Sequence, residues 1–334
     1  MSRETAGSTQ TIEDGCMSQI EKNFFFDGMT LPASLYLRLK AHTFILIGKR
    51  GEVARISSMK GFEHENFNVF VRKSDKHLVT AFISRLVHTT LEHPGVGFDA
   101  KAGFIQGLLA DSFDELEKSK FTTFNKLRTV GSQIVRLSKQ APSIDLALQL
   151  LKEQKSTDSR HSMATCVASL MIAEEANQLN NLNQEKLVAG ALLHDVGLRY
   201  LPATLRHRSP HDWSPEEVHL YESHAIKGAE MLRQVEGMSV EVLLIISEHH
   251  ENSQGTGFPK RIRDIKMNPL SKIVALADCL TDLVIPERGR AYTADEAVQY
   301  IENVLGQPYN KALFSALKNI VNKTLLEEKI KNAS

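Results

Sequence analysis

Seven side chains with metal-ligating chemistry are spread over the second half of this 334-residue chain. Five are histidines, two are aspartates, and each lies on or beside an apolar helical face. They are His161, His194, Asp195, His224, His249, His250 and Asp278. Taken singly, a histidine on such a face is more often a hydrogen-bonded core residue, and Asp278 could cap a helix or pair with an arginine.

Considered together, the seven side chains favour a metal centre. Burying five imidazoles and two carboxylates without partners would cost several kcal/mol, and bound metal satisfies them all at once. Imidazole mixed with carboxylate is typical of iron, manganese or zinc, rather than of magnesium or calcium. Seven ligands are too many for one ion and fit two ions if one carboxylate bridges them. Sites with two metal ions commonly hydrolyse phosphate esters.

The helices that must position these residues can be predicted from periodicity and capping signals. The His194-Asp195 pair ends a predicted helix over 184–196, and a second helix opens at His161. Residues 214–217 (Ser-Pro-Glu-Glu) combine an N-cap, a proline at N1 and a glutamate at N3. On the helix that they start, five residues are expected to share one face. These are Val218, Tyr221, His224, Met231 and Val235.

Further helices follow towards the end of the chain. Ser239 is expected to cap the helix that leads to His249. Asn268 and Pro269 begin a helix over 270–283, which carries Asp278. Two amphipathic helices, over 294–305 and 309–330, complete an all-α bundle.

The first half has a different pattern. Residues 1–23 are polar and are predicted to be a flexible tail. Short β-branched and aromatic runs then predict a small antiparallel sheet, and helical periodicity begins near Thr80. The predicted strands span 35–39, 43–48, 53–57 and 68–72. An amphipathic helix over 121–137 either connects two domains or forms a parallel dimer stalk.

This pattern predicts an α+β fold with three parts. They are a tail over 1–23, a mixed regulatory or interaction domain over 24–140, and a helical metal-binding domain over 141–334. Forty basic and forty acidic residues argue against a nucleic-acid polymer or an anionic membrane as partner. Three dispersed cysteines, no signal-peptide pattern and no apolar run of membrane-spanning length predict a soluble, cytoplasmic protein.

The ordered motifs of the second half resemble the HD-GYP family of metal-dependent phosphohydrolases. The resemblance covers about 155–330 and rests on the seven residues, the 214–217 start signal and the loop over 255–259 (Gly-Thr-Gly-Phe-Pro). It implies a helical bundle that hydrolyses cyclic di-GMP at a di- or trinuclear centre. It also implies that Asp195 bridges the metals and that a bridging hydroxide attacks phosphorus. One ion would be held by His161, His194 and Asp278, and the other by His224, His249 and His250.

Departures from the family pattern lie at positions expected to contact the substrate. Leu198 replaces a lysine, with Arg199 next to it, and Phe258 replaces the tyrosine of the signature motif. The family's Arg-Pro-Tyr-Lys segment is Arg-Ala-Tyr-Thr here, over 290–293. Thr157 stands where some members have a glutamate for a third metal, which predicts two ions. The expected substrate-binding residues are Arg199, Arg290, Gly257 and Phe258.

Two main functional hypotheses follow from this resemblance. The first is a cyclic di-GMP phosphodiesterase with two iron ions, or manganese in their place, and Asp195 as the central catalytic residue. The second is a catalytically weak module that binds cyclic di-GMP or docks a GGDEF-domain protein. Another cyclic dinucleotide substrate and a homodimer are also compatible with the sequence.

Overall fold

The structure is a computed structural model. The residues that it describes are 9–20, 25, 28–55, 69–79, 82, 91, 96–115, 120–141, 143–152, 157–202, 205, 212–286 and 289–333. The chain divides into two compact units, Met1–Asp111 and Ser112–Ser334. The first contains a sheet and the second is helical, so the predicted α+β fold class is confirmed.

The strands of the first unit form one antiparallel sheet. They are β1 (Thr9–Thr11), β2 (Met17–Ile20), β3 (Leu35–Lys40), β4 (Thr43–Gly48) and β5 (Val69–Arg72). Within the described residues their order is β1-β4-β3-β5-β2. Phe44 and Leu46 alternate with less buried neighbours on β4 and pack with Met17 and Tyr36. This alternation gives the sheet an apolar face, and the predicted small antiparallel sheet is confirmed.

The prediction of a flexible tail over 1–23 is wrong for its described part. β1 pairs with β4 and β2 pairs with β5, and Met17 and Ile20 are buried. These pairings join segments that are distant in sequence, so the local polar composition does not reveal them. Residues 1–8 and 21–23 lie outside the described residues.

Two other predictions for this unit need correction or lie outside the described part. The predicted strand over 53–57 is reduced to an isolated bridge between Val53 and Thr30. Its last two residues, and the predicted onset of helical periodicity near Thr80, fall outside the described residues.

The rest of the chain is helical. The helices are α1 (Phe98–Glu115), α2 (Lys120–Ser138), α3 (Ile144–Lys152), α4 (Thr157–Glu175), α5 (Asn181–Leu193), α6 (Pro215–Glu222), α7 (His224–Leu232), α8 (Val240–Glu248), α9 (Pro269–Val284), α10 (Ala294–Asn303) and α11 (Lys311–Ala333). A short 3-10 turn, Val196–Tyr200, follows α5. This set agrees with the predicted all-α bundle. Among the described helices, none combines the length and the apolar character needed to cross a membrane.

Helix α2 packs within the helical unit, which moves the predicted domain boundary. Its apolar face is buried, with Ile134 fully inaccessible. Gly131 lies so close to α5 that an added Cβ would come within 2.5 Å of Val188 Cγ1. The two units divide after Asp111 instead of at 140, because α2 contributes to the core of the second unit.

Local capping signals set the starts of the helices around the site. The Ser214 hydroxyl accepts a hydrogen bond from Glu217 N, and the Glu217 carboxylate accepts one from Ser214 N. This is the capping box predicted from the sequence. Ser239 caps α8 and Asn268 caps α9 through their side-chain oxygens. The predicted starts of α6, α8 and α9 are therefore confirmed.

The continuous helix predicted from residue 215 is wrong, because the chain turns at Ser223. The turn separates α6 from α7. Val218 was expected on the same buried face as His224, but it is 38% exposed, whereas His224 is fully buried. Val218 and His224 therefore do not share one buried face.

Candidate metal centre

The structure brings all seven predicted ligands to one place. Helices α5 and α8 end at the site, α7 begins there, and α4 and α9 pass it. By element, the ligands are His161 (α4), His194 and Asp195 (end of α5), His224 (start of α7), His249 and His250 (end of α8) and Asp278 (α9). Their roles as ligands remain predictions, but their proximity is a structural observation.

One group of ligands surrounds Asp278. His161 Nε2 lies 2.9 Å from Asp278 Oδ1, and His194 Nε2 lies 3.3 Å from the same oxygen. The two imidazole nitrogens are 3.2 Å apart. These three side chains therefore direct their nitrogen and oxygen atoms to a common point.

A second group lies at the junction of α7 and α8. Nε2 of His224 and Nε2 of His249 are 3.2 Å apart. The His250 ring lies beside them, with its centroid 4.1 Å from that of His249 and 5.0 Å from that of His224. Three imidazoles thus line one side of the site.

Asp195 faces the two groups with different oxygens. Its Oδ2 lies 3.4 Å from His194 Nε2. Its Oδ1 lies 3.3 Å from His224 Nε2 and 3.4 Å from His249 Nε2. Oδ1 is buried and has no hydrogen bond among the described residues. A carboxylate that bridges two ions must present its oxygens in this way, one to each group.

Backbone carbonyls hold three of the histidine rings. Nδ1 of His194 lies 2.7 Å from Ala191 O, and Nδ1 of His249 lies 2.8 Å from Ile246 O. Nδ1 of His224 contacts the carbonyl of the residue three positions earlier in the same manner, at 2.6 Å. A proton on Nδ1 that is donated to a carbonyl leaves Nε2 as a lone-pair donor. Partners of this kind orient metal-binding histidines and fix their tautomer.

The chemistry of this donor set fits divalent metal ions. Imidazole nitrogens that face each other at 3.2 Å need a proton or a cation between them. His194 and His224 are fully inaccessible, so leaving their nitrogens unsatisfied would be costly. His250 Nε2 is also buried without a hydrogen-bond partner among the described residues. Together these atoms indicate a divalent-metal site.

The cluster keeps both carboxylates charged. Burial raises the pKa of Asp195, but the charge of His194 and the close contacts with neighbouring histidine nitrogens outweigh it and hold this pKa well below its usual value. The same balance, with His194 and His161 as partners, holds the pKa of Asp278 well below its usual value. Two ionised carboxylates are suitable ligands for cations.

The pKa values of His161 and His250 are shifted in opposite directions. Burial lowers the pKa of His161, but the hydrogen bond with Asp278 and the charge of Asp282 outweigh it and raise this pKa to about 9. Burial, followed by the charge of His249, holds the pKa of His250 well below its usual value. His161 therefore binds a proton strongly, whereas His250 does not.

Metal affinity is expected to rise with pH through the range from about 6.5 to about 9. The raised pKa of His161 stabilises the metal-free protein fully below pH 6.5. That stabilisation is lost as pH rises through about 9, so the ion no longer competes with a proton. Competition titrations with Mn(II) at several pH values, with an indicator dye to count released protons, measure this effect. An affinity independent of pH, with no proton release, would contradict the prediction.

Asp282 is a carboxylate beside the centre that sequence reasoning missed. It lies one helical turn after Asp278 on α9, and its Oδ1 is 3.6 Å from His161 Nδ1. With His161 and Asp278 it forms a further group of potential ligand atoms. The spacing of four residues places both aspartates on one face of the helix, so this signal was present in the sequence.

The glycine-rich loop is packed directly against the centre. Phe258 N donates to His250 O at 3.1 Å, and the two ring centroids are 4.4 Å apart. A Cβ on Gly257 would collide with His250 O and would lie 2.7 Å from Glu251 Cα. Glycine is therefore required at 257 for the backbone to approach this closely, and Phe258 is placed at the rim of the site.

Glu251 binds the backbone that follows the same loop. Its side chain accepts hydrogen bonds from Lys260 N at 2.6 Å and from Ile262 N at 3.0 Å. The residue is almost fully buried. A glutamate after two histidines gives no local indication of a loop contact, so this role of Glu251 could not be predicted from the sequence.

Aromatic rings extend from the loop along α6. The Tyr221 ring centroid is 6.0 Å from that of Phe258 and 4.9 Å from that of His224. Trp213, the single tryptophan of the chain, lies 4.9 Å from Tyr221. The partly exposed Trp213, Tyr221 and Phe258 place flat apolar surfaces beside the metal centre.

The two arginines predicted to contact phosphate have other contacts in the structure. The guanidinium carbon of Arg199 lies 5.7 Å from the Phe113 ring centroid. Arg290 pairs with Glu296 at 2.7 Å, and its guanidinium carbon lies 4.9 Å from the Tyr292 ring centroid. Their roles towards a substrate remain predictions, as do those of Gly257 and Phe258.

The fold and the clustered ligands define a helical domain built around a histidine–aspartate metal centre. The family model described as "HD domain" matches residues 139–313, which is just over half of the chain. The chain belongs to the HD domain family, and the family recognised from its sequence motifs is confirmed.

Curated relatives match parts of this chain. A cyclic di-GMP phosphodiesterase of Pseudomonas aeruginosa is 30% identical over 163 residues, which cover 47% of this chain and 38% of that protein. A 3'3'-cGAMP-specific phosphodiesterase of Vibrio cholerae is 26% identical over 44% of this chain and 32% of its own length. The chain therefore spans less than half the length of these relatives.

A solved structure shares the fold over most of the chain. It is described as an HDG"Y"P protein from Bdellovibrio bacteriovorus and superimposes with a TM-score of 0.73. The match covers 92% of this chain and 99% of that chain, with 20% sequence identity. This similarity establishes the common fold.

Proposed function

We propose that this chain is a metal-dependent phosphodiesterase that hydrolyses cyclic di-GMP or a related cyclic dinucleotide. The observation that carries the proposal is Asp195, whose two oxygens face two separate groups of histidines. Relatives named as cyclic di-GMP and 3'3'-cGAMP phosphodiesterases support the substrate class. Family and site agree in indicating phosphate-ester hydrolysis.

The proposed cofactor is a pair of iron ions, with manganese as the alternative. Five imidazoles and two carboxylates make a donor set suited to these metals. Asp195 is the shared ligand in this assignment. The first ion has His161, His194 and Asp278, and the second has His224, His249 and His250. When bound, the two ions supply Lewis-acid activation of water and neutralise phosphate charge.

The protein's own residues would orient the substrate over this centre. His194, His224 and His249 are fixed by burial and by backbone partners, so their Nε2 atoms are preorganised. Gly257 allows the loop to approach His250, and Phe258 offers a ring on which a nucleobase can stack. Arg199 and Arg290 are the guanidinium groups proposed to contact the phosphates.

The direct test is hydrolysis of cyclic di-GMP by the protein loaded anaerobically with Fe(II), or with Mn(II). We expect linear dinucleotide or GMP to form with the loaded protein and neither to form with the chelator-treated protein. 3'3'-cGAMP, assayed in parallel, measures the preference among cyclic dinucleotides. Failure of the metal-loaded protein to release product from either nucleotide would refute the phosphodiesterase assignment.

The second candidate is a weakly catalytic module that binds the nucleotide or docks a GGDEF-domain partner. Its support is that the family's lysine is Leu198 and that Thr293 serves as the N-cap of α10. Trp213 supplies a binding signal that is independent of turnover. Nucleotide-dependent quenching of its fluorescence without product formation would favour this candidate, with Trp213→Phe as the control that removes the signal.

A further inference from the structure

His161 is held differently from three of the other ligand histidines. His194, His224 and His249 each follow the C-terminal turn of a helix, whose last carbonyls can accept hydrogen bonds from side chains. Their Nδ1 atoms contact such carbonyls three residues earlier. His161 lies inside α4, where the preceding carbonyls belong to the helical hydrogen-bond ladder. Its outer nitrogen therefore needs a side-chain partner.

Asp282 is the side-chain partner of this nitrogen, His161 Nδ1. Its Oδ1 lies 3.6 Å from His161 Nδ1, a distance of an ion-pair contact and longer than a hydrogen bond. On the other side of the ring, His161 Nε2 lies 2.9 Å from Asp278 Oδ1. Two aspartates one turn apart on α9 thus hold the two nitrogens of one imidazole.

The two aspartates differ in their surroundings. The Asp278 side chain is 6% exposed and points among the ligands, whereas the Asp282 side chain is 64% exposed. Asp278 is therefore placed to bind an ion directly. Asp282 lies on the solvent side of the ring, where it acts on His161 through Nδ1.

We propose that Asp282 is the positioning residue for His161. Its carboxylate keeps Nε2 of His161 directed at the centre and raises the affinity of the site for the ion that His161 binds. Carboxylates behind metal-binding histidines orient the ring and raise its basicity, and their loss lowers metal affinity by about 10- to 100-fold. The proposal rests on the metal centre of the proposed function, and the identity of the nucleotide does not enter it.

The test is a titration of the full-length Asp282→Asn variant with Co(II), followed by visible absorption and by competition with a chelator. Asparagine keeps the size of the side chain and removes its charge. We expect one of two Co(II) sites to weaken by about 10- to 100-fold and the other to keep the wild-type affinity. Asp282→Glu restores the charge and should recover most of the lost affinity. Asp295→Asn, which changes a carboxylate on α10, should leave both sites unchanged.

Several outcomes would overturn this role. They are unchanged Co(II) binding in Asp282→Asn, equal weakening of both sites, or loss of a third Co(II) ion that the wild-type protein holds. The last result would make Asp282 a direct ligand. Absence of Co(II) binding by the wild-type protein would refute the metal centre and this proposal together. Absence of nucleotide hydrolysis alone would refute the proposed function and leave the role of Asp282 intact.

Discussion

Replacing Asp195 with alanine is expected to remove most of the bound metal and to lower phosphodiesterase turnover by roughly 10³-fold or more. The oxygens of this carboxylate face both histidine groups, at 3.3 to 3.4 Å from His194, His224 and His249. In the proposed assignment, its loss would remove a ligand from both ions at once. It also leaves buried imidazoles without the negative charge that balances a cation. Elemental analysis of the purified variant, together with the nucleotide assay, measures both effects.

A matched control separates this effect from a general loss of negative charge. Glu236 is an exposed carboxylate in the loop before α8. Glu236→Gln should keep the metal content and turnover of the wild-type protein. Retention of two metal equivalents in Asp195→Ala would contradict the bridging assignment, whereas normal metal content with lost turnover would limit Asp195 to a role in the reaction.

Gly197→Ala is expected to destabilise the helical unit by roughly 3 kcal/mol or more, because the added methyl group has no space. A Cβ at this position would collide with the carbonyl oxygen of His224 and would lie 2.8 Å from Gly228 N. Both obstacles are backbone atoms, so no side-chain rotation relieves the clash. The 3-10 turn after Asp195 would have to move away from α7, and His224 would leave its position beside Asp195.

Urea unfolding measures the loss of stability in Gly197→Ala, and elemental analysis measures the accompanying loss of metal. Gly15→Ala is a suitable control, because an added Cβ there meets nothing within 4 Å. The control should change stability by less than about 0.5 kcal/mol. Wild-type stability and metal content in Gly197→Ala would contradict the prediction. They would mean that the turn can move away from α7 without loss of stability or of bound metal.

The helical unit was largely predictable because its signals are local. The capping box of Ser214 and Glu217 involves residues three apart, and the caps at Ser239 and Asn268 are similarly short-range. The turn at Ser223 was not predictable, since the apolar periodicity continues through it. The strands β1 and β2 were not predicted, because they form by pairing with strands that are distant in sequence. Their partners are 32 or more residues away.

The sequence by itself determined the types of the ligands, the helices that carry them and the family to which they belong. It left open which ligand atoms meet. The contact between His161 and His194 joins residues 33 apart, and that between His161 and Asp278 joins residues 117 apart. Only the packing of α4, α5 and α9 brings them together. The tertiary structure alone therefore decided that Asp195 faces both histidine groups and that Asp282 lies behind His161.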